Sequence, residues 1–326
     1  MTTDEAHILI AARIDGDGNG TDLQGTAISQ TLKAEALAWV HLDVRSPGTR
    51  SWLEREISYL DPIILDALLQ EETRPRMIEF DSGVLLILRG INMDEKAEPE
   101  DMVSVRLWID EHRIVSLQRR AVKSVQEIRE KLLTGKGPKN SADFLSMLCA
   151  LLFEKMEPVL TELDEQVDDL EEQVIEAPDA ELRQGIIDAR KSAIMLRRYI
   201  APQRDVLGHI RTCELKWLDI TNRRRLQESF DRLVRYTEDL DSIRERAQIV
   251  KDELTNVLSD RLNKNLYILS VIAAIFLPLG FLTGLLGINV GGIPGTNDPW
   301  AFWIFTGLLV ALVAGQIALF KKLKWF

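Results

Sequence analysis

The sequence predicts an α+β domain followed by long helices and a two-helix transmembrane hairpin, and three observations predict it. Two uncharged stretches close the chain, residues 265–290 and 300–320. Each is long enough for the roughly 20 helical residues that a bilayer core demands. Apolar residues at alternating steps of three and four run from about residue 141 to 257, the mark of helices with one buried face. Ahead of them, short β-branched runs separated by Asp, Gly and Asn turns fill most of residues 1–120. The expected divisions are therefore an α/β domain over 1–140, a long-helix, coiled region over 141–262 and a membrane hairpin over 263–326.

In chain order, residues 8–12 read as a strand and lead into Asp15-Gly16-Asp17-Gly18-Asn19-Gly20. That hexapeptide copies the opening of a calcium-binding EF-hand loop. The twelfth position, which needs a bidentate Glu, is Thr26, and no flanking helices are evident. A solvated turn between two strands is the better account. Residues 39–43 form a strand, and 51–70 hold two helical stretches, with Asp61 as the N-cap of the second and Pro62 at its first helical position. Residues 76–81, 84–91, 102–110 and 113–117 are successive strands joined by tight turns at Asp81-Ser82-Gly83 and Asp110-Glu111-His112, giving a largely antiparallel sheet. Residues 123–133 are helical. The following Thr134-Gly135-Lys136-Gly137-Pro138 lacks the spacing of a phosphate-binding loop, so nucleotide binding is unsupported.

From 141 to 286 the pattern is helical throughout. Leu160, Leu163, Val167, Leu170 and Val174 form one seam. Asp179, after Pro178, is a natural N-cap for a second helix with the stripe Leu182, Ile186, Ala189, Ala193, Leu196 and Ile200, so the two pack antiparallel. A third stripe, Leu233, Tyr236, Leu240, Ile243, Ala247, Val250, Leu254 and Val257, continues without a break into the first uncharged span. A helix from near Asp205 to Leu286 would be roughly 120 Å long at 1.5 Å per residue. One soluble domain of this size cannot bury that length, which argues that neighbouring copies cover it. Between residues 156 and 176 there are nine acidic residues and no basic one. That run is either the solvated face of a coiled helix or a surface that gathers cations.

The formal charge of −11 argues against nucleic-acid binding, which wants basic patches. Two cysteines, Cys149 and Cys213, give no disulfide framework and suit a reducing cytosol. No nucleophile with a base, no paired carboxylates and no complete metal motif mark an enzyme. Residues 1–30 have no apolar run, so no leader peptide is expected.

Loop charge orients the hairpin. Residues 287–299 contain no Lys or Arg, whereas Arg261 and Lys264 precede the first span and Lys321, Lys322 and Lys324 follow the second, which places both termini in the cytoplasm. Trp300 and Trp303 at one edge, with Trp325 and Phe326 at the other, fit aromatic belts at the two interfaces. On the first span, Ser259, Leu262, Leu266, Leu269, Ala273, Leu277, Gly280 and Thr283 share one helical face, and Pro278 is expected to bend the helix. Spacing alone leaves this face as either a lipid-facing or packing surface or the wall of a pore. The helix end favours the pore: Gly287, Ile288 and Asn289 leave carbonyls and an amide at the outer mouth, where a symmetric ring of them can hold a cation.

Gly287-Ile288-Asn289 after an apolar helix containing Pro278-Leu279, then a short loop, a second apolar helix and a basic C-terminus, resembles the CorA-type family of divalent-cation transporters over the whole chain. The resemblance implies a funnel-shaped homopentamer in the bacterial inner membrane, with Gly-x-Asn at the periplasmic mouth of a pore lined by the first membrane helix. Magnesium-transporting members carry Gly-Met-Asn and an acidic loop. Here Ile288 takes the middle position, and Gly291 and Gly295 stand where acids are usual, which resembles the zinc-transporting ZntB branch. Zn2+ is then the expected cargo, with no organic cofactor. A magnesium or cobalt channel of the same architecture and a helical scaffold without transport are the alternatives.

Zinc prefers His and Cys, yet neither span holds His, Cys, Asp or Glu. A passing zinc ion would keep much of its water, with Asn289 and backbone carbonyls as outer contacts. Cytosolic ligands are a separate matter. His209 and Cys213, at i and i+4 with Glu214 adjacent, read either as half a zinc site on one helical face or as ordinary packing. Asp252 is a candidate ring carboxylate on the long helix.

Overall fold

The computed structural model describes residues 6–58, 60–71, 74–94, 96–288, 293, 295 and 297–322. They fall into two compact units, residues 1–252 and 253–326.

The first unit is built on a seven-stranded sheet: β1 (Ile8–Ile14), β2 (Gly20–Asp22), β3 (Ala38–Asp43), β4 (Arg76–Phe80), β5 (Gly83–Gly90), β6 (Val103–Ile109) and β7 (Arg113–Gln118). The spatial order is β2-β1-β3-β7-β6-β5-β4. All pairs are antiparallel except β3–β7, which runs parallel with Val40 opposite Val115 and His41 opposite Ser116. Helices α1 (Thr26–Lys33), α2 (Gly48–Glu56) and α3 (Pro62–Leu69) cover one face. There Ile28, Leu32, Trp52, Leu53, Ile64 and Leu68 close over Val40, Leu42, Leu85, Trp108, Val115 and Leu117. Against the other face lie α4 (Lys123–Leu133), α5 (Ser141–Glu154) and α7 (Leu182–Ile210); Trp39 meets Phe144 edge-on at 5.0 Å, and Gln203 accepts the Arg89 backbone N–H at 2.7 Å. Strands covered on both faces need not alternate, and β6 is buried at every position.

Local signals place these elements where the chain pattern put them. Asp61 caps α3, its carboxylate accepting the Ile63 N–H at 2.8 Å. The hexapeptide is indeed the turn of the β1–β2 hairpin: Asp15 accepts the N–H groups of Asp17 and Asn19, and Gly18 takes φ +95°, a region open to glycine. Helix α1 is one element the pattern did not announce, since only Ile28 and Leu32 mark its buried side. Fully buried Arg106 on β6 donates to the carbonyls of Leu68 and Glu71 at 3.2 Å each, where α3 ends with unpaired oxygens. Burial, with Arg89 and Arg119 nearby, brings its guanidinium down to about 10.

The remaining helices are α6 (Glu157–Glu176), α8 (Ile220–Gly287) and α9 (Ala301–Lys322). Seams on α6 and α7 pack as expected, with Leu160, Leu163, Val167 and Val174 buried beside Ile186, Ala189, Ala193, Leu196 and Ile200. Asp179 accepts the Glu181 N–H at 2.9 Å, but it only shapes the approach, because α7 begins at Leu182. The long helix also starts later than the periodicity suggests. Asp205 belongs to α7, residues 211–219 form a connection, and α8 runs unbroken for 68 residues from Ile220, through Pro278. Its stripe from Leu233 to Val250 is buried within the chain itself, so that part gives no argument for neighbouring copies. Arg197 of α7 reaches Asp241 at 2.7 Å, and Ser146 of α5 reaches Asn222 at 2.7 Å.

One polar cluster in this core makes a prediction. Ser116 Oγ lies 2.8 Å from both Trp39 Nε1 and His41 Nδ1. Burial drives the His41 imidazole down from 6.5 to about 4, against opposing hydrogen bonding with Gln118 and attraction by Asp43. The folded state therefore holds fewer protons there than the unfolded chain. Stability from the neutral ring is complete above pH 6.5 and is lost as pH falls toward 4. At about 1.4 kcal/mol per pH unit the loss is on the order of 3 kcal/mol. Urea unfolding of wild type and His41→Gln across that range should show a flatter pH dependence in the variant, and equal slopes would remove His41 as the cause.

Candidate functional site

Among the described residues two helices are long and apolar enough to cross a membrane, α8, whose apolar part lies in the second unit, and α9. Their contact is light: Gln316 Nε2 donates to the Ala274 carbonyl at 3.1 Å, and Val271 is buried. Every residue from Ser259 to Ser270 is exposed. Leu262, Leu266, Leu269, Ala273, Leu277, Gly280 and Thr283, the face expected to line a passage, are all exposed, Leu277 at 71%. Gly280 and Thr283 stand apart from the rest, since they border a shallow groove of about 630 Å3 shared with Leu309 and Val313 of α9. So large an uncovered apolar surface belongs against lipid or another chain.

This face offers an ion few donors. Thr283 and Ser270 turn their hydroxyls back on their own helix, to the carbonyls of Leu279 at 2.9 Å and Leu266 at 2.8 Å. Asp298, the one acid between the spans, is occupied in shaping the approach to α9, where it accepts the Trp300 N–H at 2.9 Å just ahead of Ala301. Gly287 closes α8 and Ile288 follows it, exposed. Asn289, the proposed mouth amide, lies outside the described residues, as do Gly291, Lys324, Trp325 and Phe326.

The acidic run on α6 is partly neutralised from within. Arg246 of α8 pairs with Asp164 at 2.8 Å, with Asp168, and with Glu171 at 3.7 Å. Burial and the Asp164 charge hold the Asp239 carboxyl above its ordinary value. Glu162, Glu165, Asp169, Glu172 and Glu176 face solvent. Asp252 is exposed, accepts from Gln248 at 2.8 Å, and joins no group of three or more possible metal ligands among the described residues.

His209 and Cys213 do come together, though not on one helical face. Helix α7 ends at Ile210, and the chain folds over its end so that the Thr212 and Cys213 N–H groups both donate to the His209 carbonyl, at 3.0 and 3.1 Å. Arg223 of α8 fixes this turn by donating to the carbonyls of Arg211 at 2.8 Å and Cys213 at 2.7 Å. The third member is one that sequence reasoning missed: Glu79 on edge strand β4 brings a carboxylate oxygen within 4.8 Å of ligand atoms of both. Glu214 is not part of the group; it lines an adjacent cavity of about 500 Å3. Burial, followed by hydrogen bonding and repulsion from Glu79, pushes the Cys213 thiol up to about 11. Buried Cys149, far inside α5, is pushed up to about 12 by burial alone.

Comparison with known proteins gives a consistent picture. Residues 34–322 match the family model described as CorA-like Mg2+ transporter protein. The chain is 36% identical over 313 residues to the zinc transport protein ZntB of Yersinia enterocolitica, covering 96% of this chain and 94% of that one. It is 35% identical over 330 residues to the divalent cation transporter CmaX of Pseudomonas aeruginosa, covering 99% and 98%. Its fold superposes on the full-length CmaX structure with a TM-score of 0.86 at 34% identity, over all of both chains.

The Arg246 contacts predict a salt-dependent contribution to stability. Arg246→Ala leaves three neighbouring carboxylates without their common cation and should cost about 1 kcal/mol at low ionic strength, since the acids are half-exposed. In molar salt the difference should shrink, because the Debye length falls to about 3 Å. Equal losses at both salt concentrations would show that Arg246 acts by packing instead.

Proposed function

The chain belongs to the CorA-like Mg2+ transporter family, and we propose that its cargo is zinc, carried across a bacterial inner membrane through a pore that five copies build from the first membrane helix. The observation that carries the zinc reading is the near full-length likeness to a zinc transport protein, at 36% identity over 94% of that protein. The loop after α8 agrees with it, having Gly291 and Gly295 and only one acid, Asp298, whose carboxylate already accepts the Trp300 N–H ahead of α9.

The chemistry of the face sets how such an ion travels. The spans offer no imidazole, thiol or carboxylate, so zinc has no tight protein ligand to replace its hydration shell. It passes with much of its water, touching carbonyls near Gly287 and the Asn289 amide at the mouth, and weak contacts of this kind let an ion leave as readily as it enters. Leu277 from each copy forms an apolar constriction that closes by dewetting. Arg261 and Lys264 before the first span and Lys321, Lys322 and Lys324 after the second hold both termini in the cytoplasm. The soluble unit, at a formal chain charge of −11, draws cations toward the inner entrance.

Full-length protein in liposomes loaded with a zinc-sensitive dye tests this reading, with and without a pH gradient. Zinc flux is expected, reduced at least about tenfold by Asn289→Ala, and a gradient effect would indicate proton coupling. Magnesium flux in place of zinc would transfer the chain to the magnesium or cobalt alternative, and no flux of either ion would end the transport reading. Leu277→Ser should raise the leak in the resting protein; an unchanged leak would rule out Leu277 as the constriction.

A further inference from the structure

The geometry points to a separate, exchangeable zinc-binding site in the soluble unit, formed by Glu79, His209 and Cys213. Their ligand atoms, a carboxylate oxygen, an imidazole nitrogen and a thiol sulfur, lie within 4.8 Å of one another, the one such group of three among the described residues. Ligand atoms around tetrahedral zinc, at 2.0–2.3 Å from the metal, stand about 3.5 Å apart. Closing the group onto an ion therefore asks for a tightening of about 1 Å between the pairs. Glu79 and His209 are exposed and have room to rotate, while Cys213 is the buried, fixed member.

Three features make this more than a chance approach. The three residues come from two distant segments, edge strand β4 and the chain leaving α7, so their convergence is a product of the tertiary fold. The turn that carries His209 and Cys213 is held by the two Arg223 hydrogen bonds, to the carbonyls of Arg211 and Cys213. Beside Glu79 a cavity of about 500 Å3 opens, bordered also by Asp81, Glu111, Glu214, Lys216 and Trp217. Four carboxylates against one lysine give an incoming cation an attractive way in.

The donor set decides the ion. One sulfur, one nitrogen and one oxygen suit zinc and similar borderline cations; magnesium wants an octahedron of hard oxygens. Three protein ligands leave the fourth tetrahedral position to water, the arrangement of a site that stays open and not of a closed structural one. Binding converts the Cys213 thiol to a zinc-bound thiolate and releases its proton to solvent, so no other reactant is needed. The site does not depend on the transport reading: it lies in the soluble unit, and its test involves no flux.

Cobalt(II) serves as the probe, because a cobalt–thiolate bond has an intense near-ultraviolet band that nitrogen and oxygen ligands do not give. Chelator-stripped full-length protein in detergent, titrated with cobalt, should develop that band to one equivalent per chain. One equivalent of zinc should bleach it, and a hundredfold excess of magnesium should not. Cys213→Ser should abolish the band and Cys149→Ser should retain it. His209→Ala and Glu79→Gln, at exposed positions where folding is not at risk, should each weaken cobalt binding at least about tenfold. Absence of the band in wild type, its persistence in Cys213→Ser, or unchanged affinity in both His209→Ala and Glu79→Gln would each overturn the proposal.

Discussion

Beyond Leu254 the apolar side chains of α8 lose their cover. Up to that point the helix buries its stripe inside the chain, with Leu233, Leu240, Ile243 and Ala247 closed off. Every residue from Ser259 to Ser270 is exposed, and beyond that α9 covers only Val271 fully, although from Leu266 the composition becomes almost wholly apolar. One helix must therefore satisfy two surroundings, protein in its first half and hydrocarbon or a second copy in the rest. The other features follow from that demand. Helices α6 and α7 supply the first cover and set their charges against α8 through Arg246 and Asp241. Helix α9 lies beside the second half, where Gln316 donates to the Ala274 carbonyl, and the hydroxyls of Ser270 and Thr283 are satisfied by carbonyls of α8 itself, as an apolar surrounding requires.

Much of this was legible in the chain. Strands β4 to β7 announced themselves by β-branched runs between tight turns, and Asp61-Pro62 marked the start of α3, because each signal acts within a few residues. The α6 and α7 seams were equally readable from their spacing. What could not be read was what distant segments do to one another. The parallel β3–β7 pairing links residues more than 70 apart, and the role of Arg106 as a buried cap for α3 requires knowing where β6 lies. The candidate ligands show the same limit. Spacing joined His209 to Cys213 on an assumed helical face, whereas α7 stops at Ile210 and the pair meets through a turn. Glu79 sits between Ile78 and Phe80 on an edge strand with nothing nearby in sequence to mark it, and only the packing of α7 beside β4 brings it to them. The start of the long helix is hidden for a related reason: residues 211–219 contain no proline or glycine to announce the break.

Passage and binding make opposite chemical demands, and the chain separates them. A route through lipid that held zinc by thiolate and imidazole would trap it. The uncharged face of α8 avoids strong ligands, and the thiol and imidazole of the proposed site, Cys213 and His209, belong to the soluble unit instead. Such a division lets an ion be sensed in one place and released quickly in another.

The unbroken run of α8 has a practical consequence for anyone dissecting the molecule. The boundary between the two compact units falls near residue 252, in the middle of a helix. Proteases cut where backbone can be drawn into an extended form, so limited digestion is directed to the connections at 177–181 and 211–219 and not to that boundary. A soluble fragment ending near 252 has to be made by choosing a stop codon, and its last helical turns will fray unless the cut falls after the buried stripe has ended.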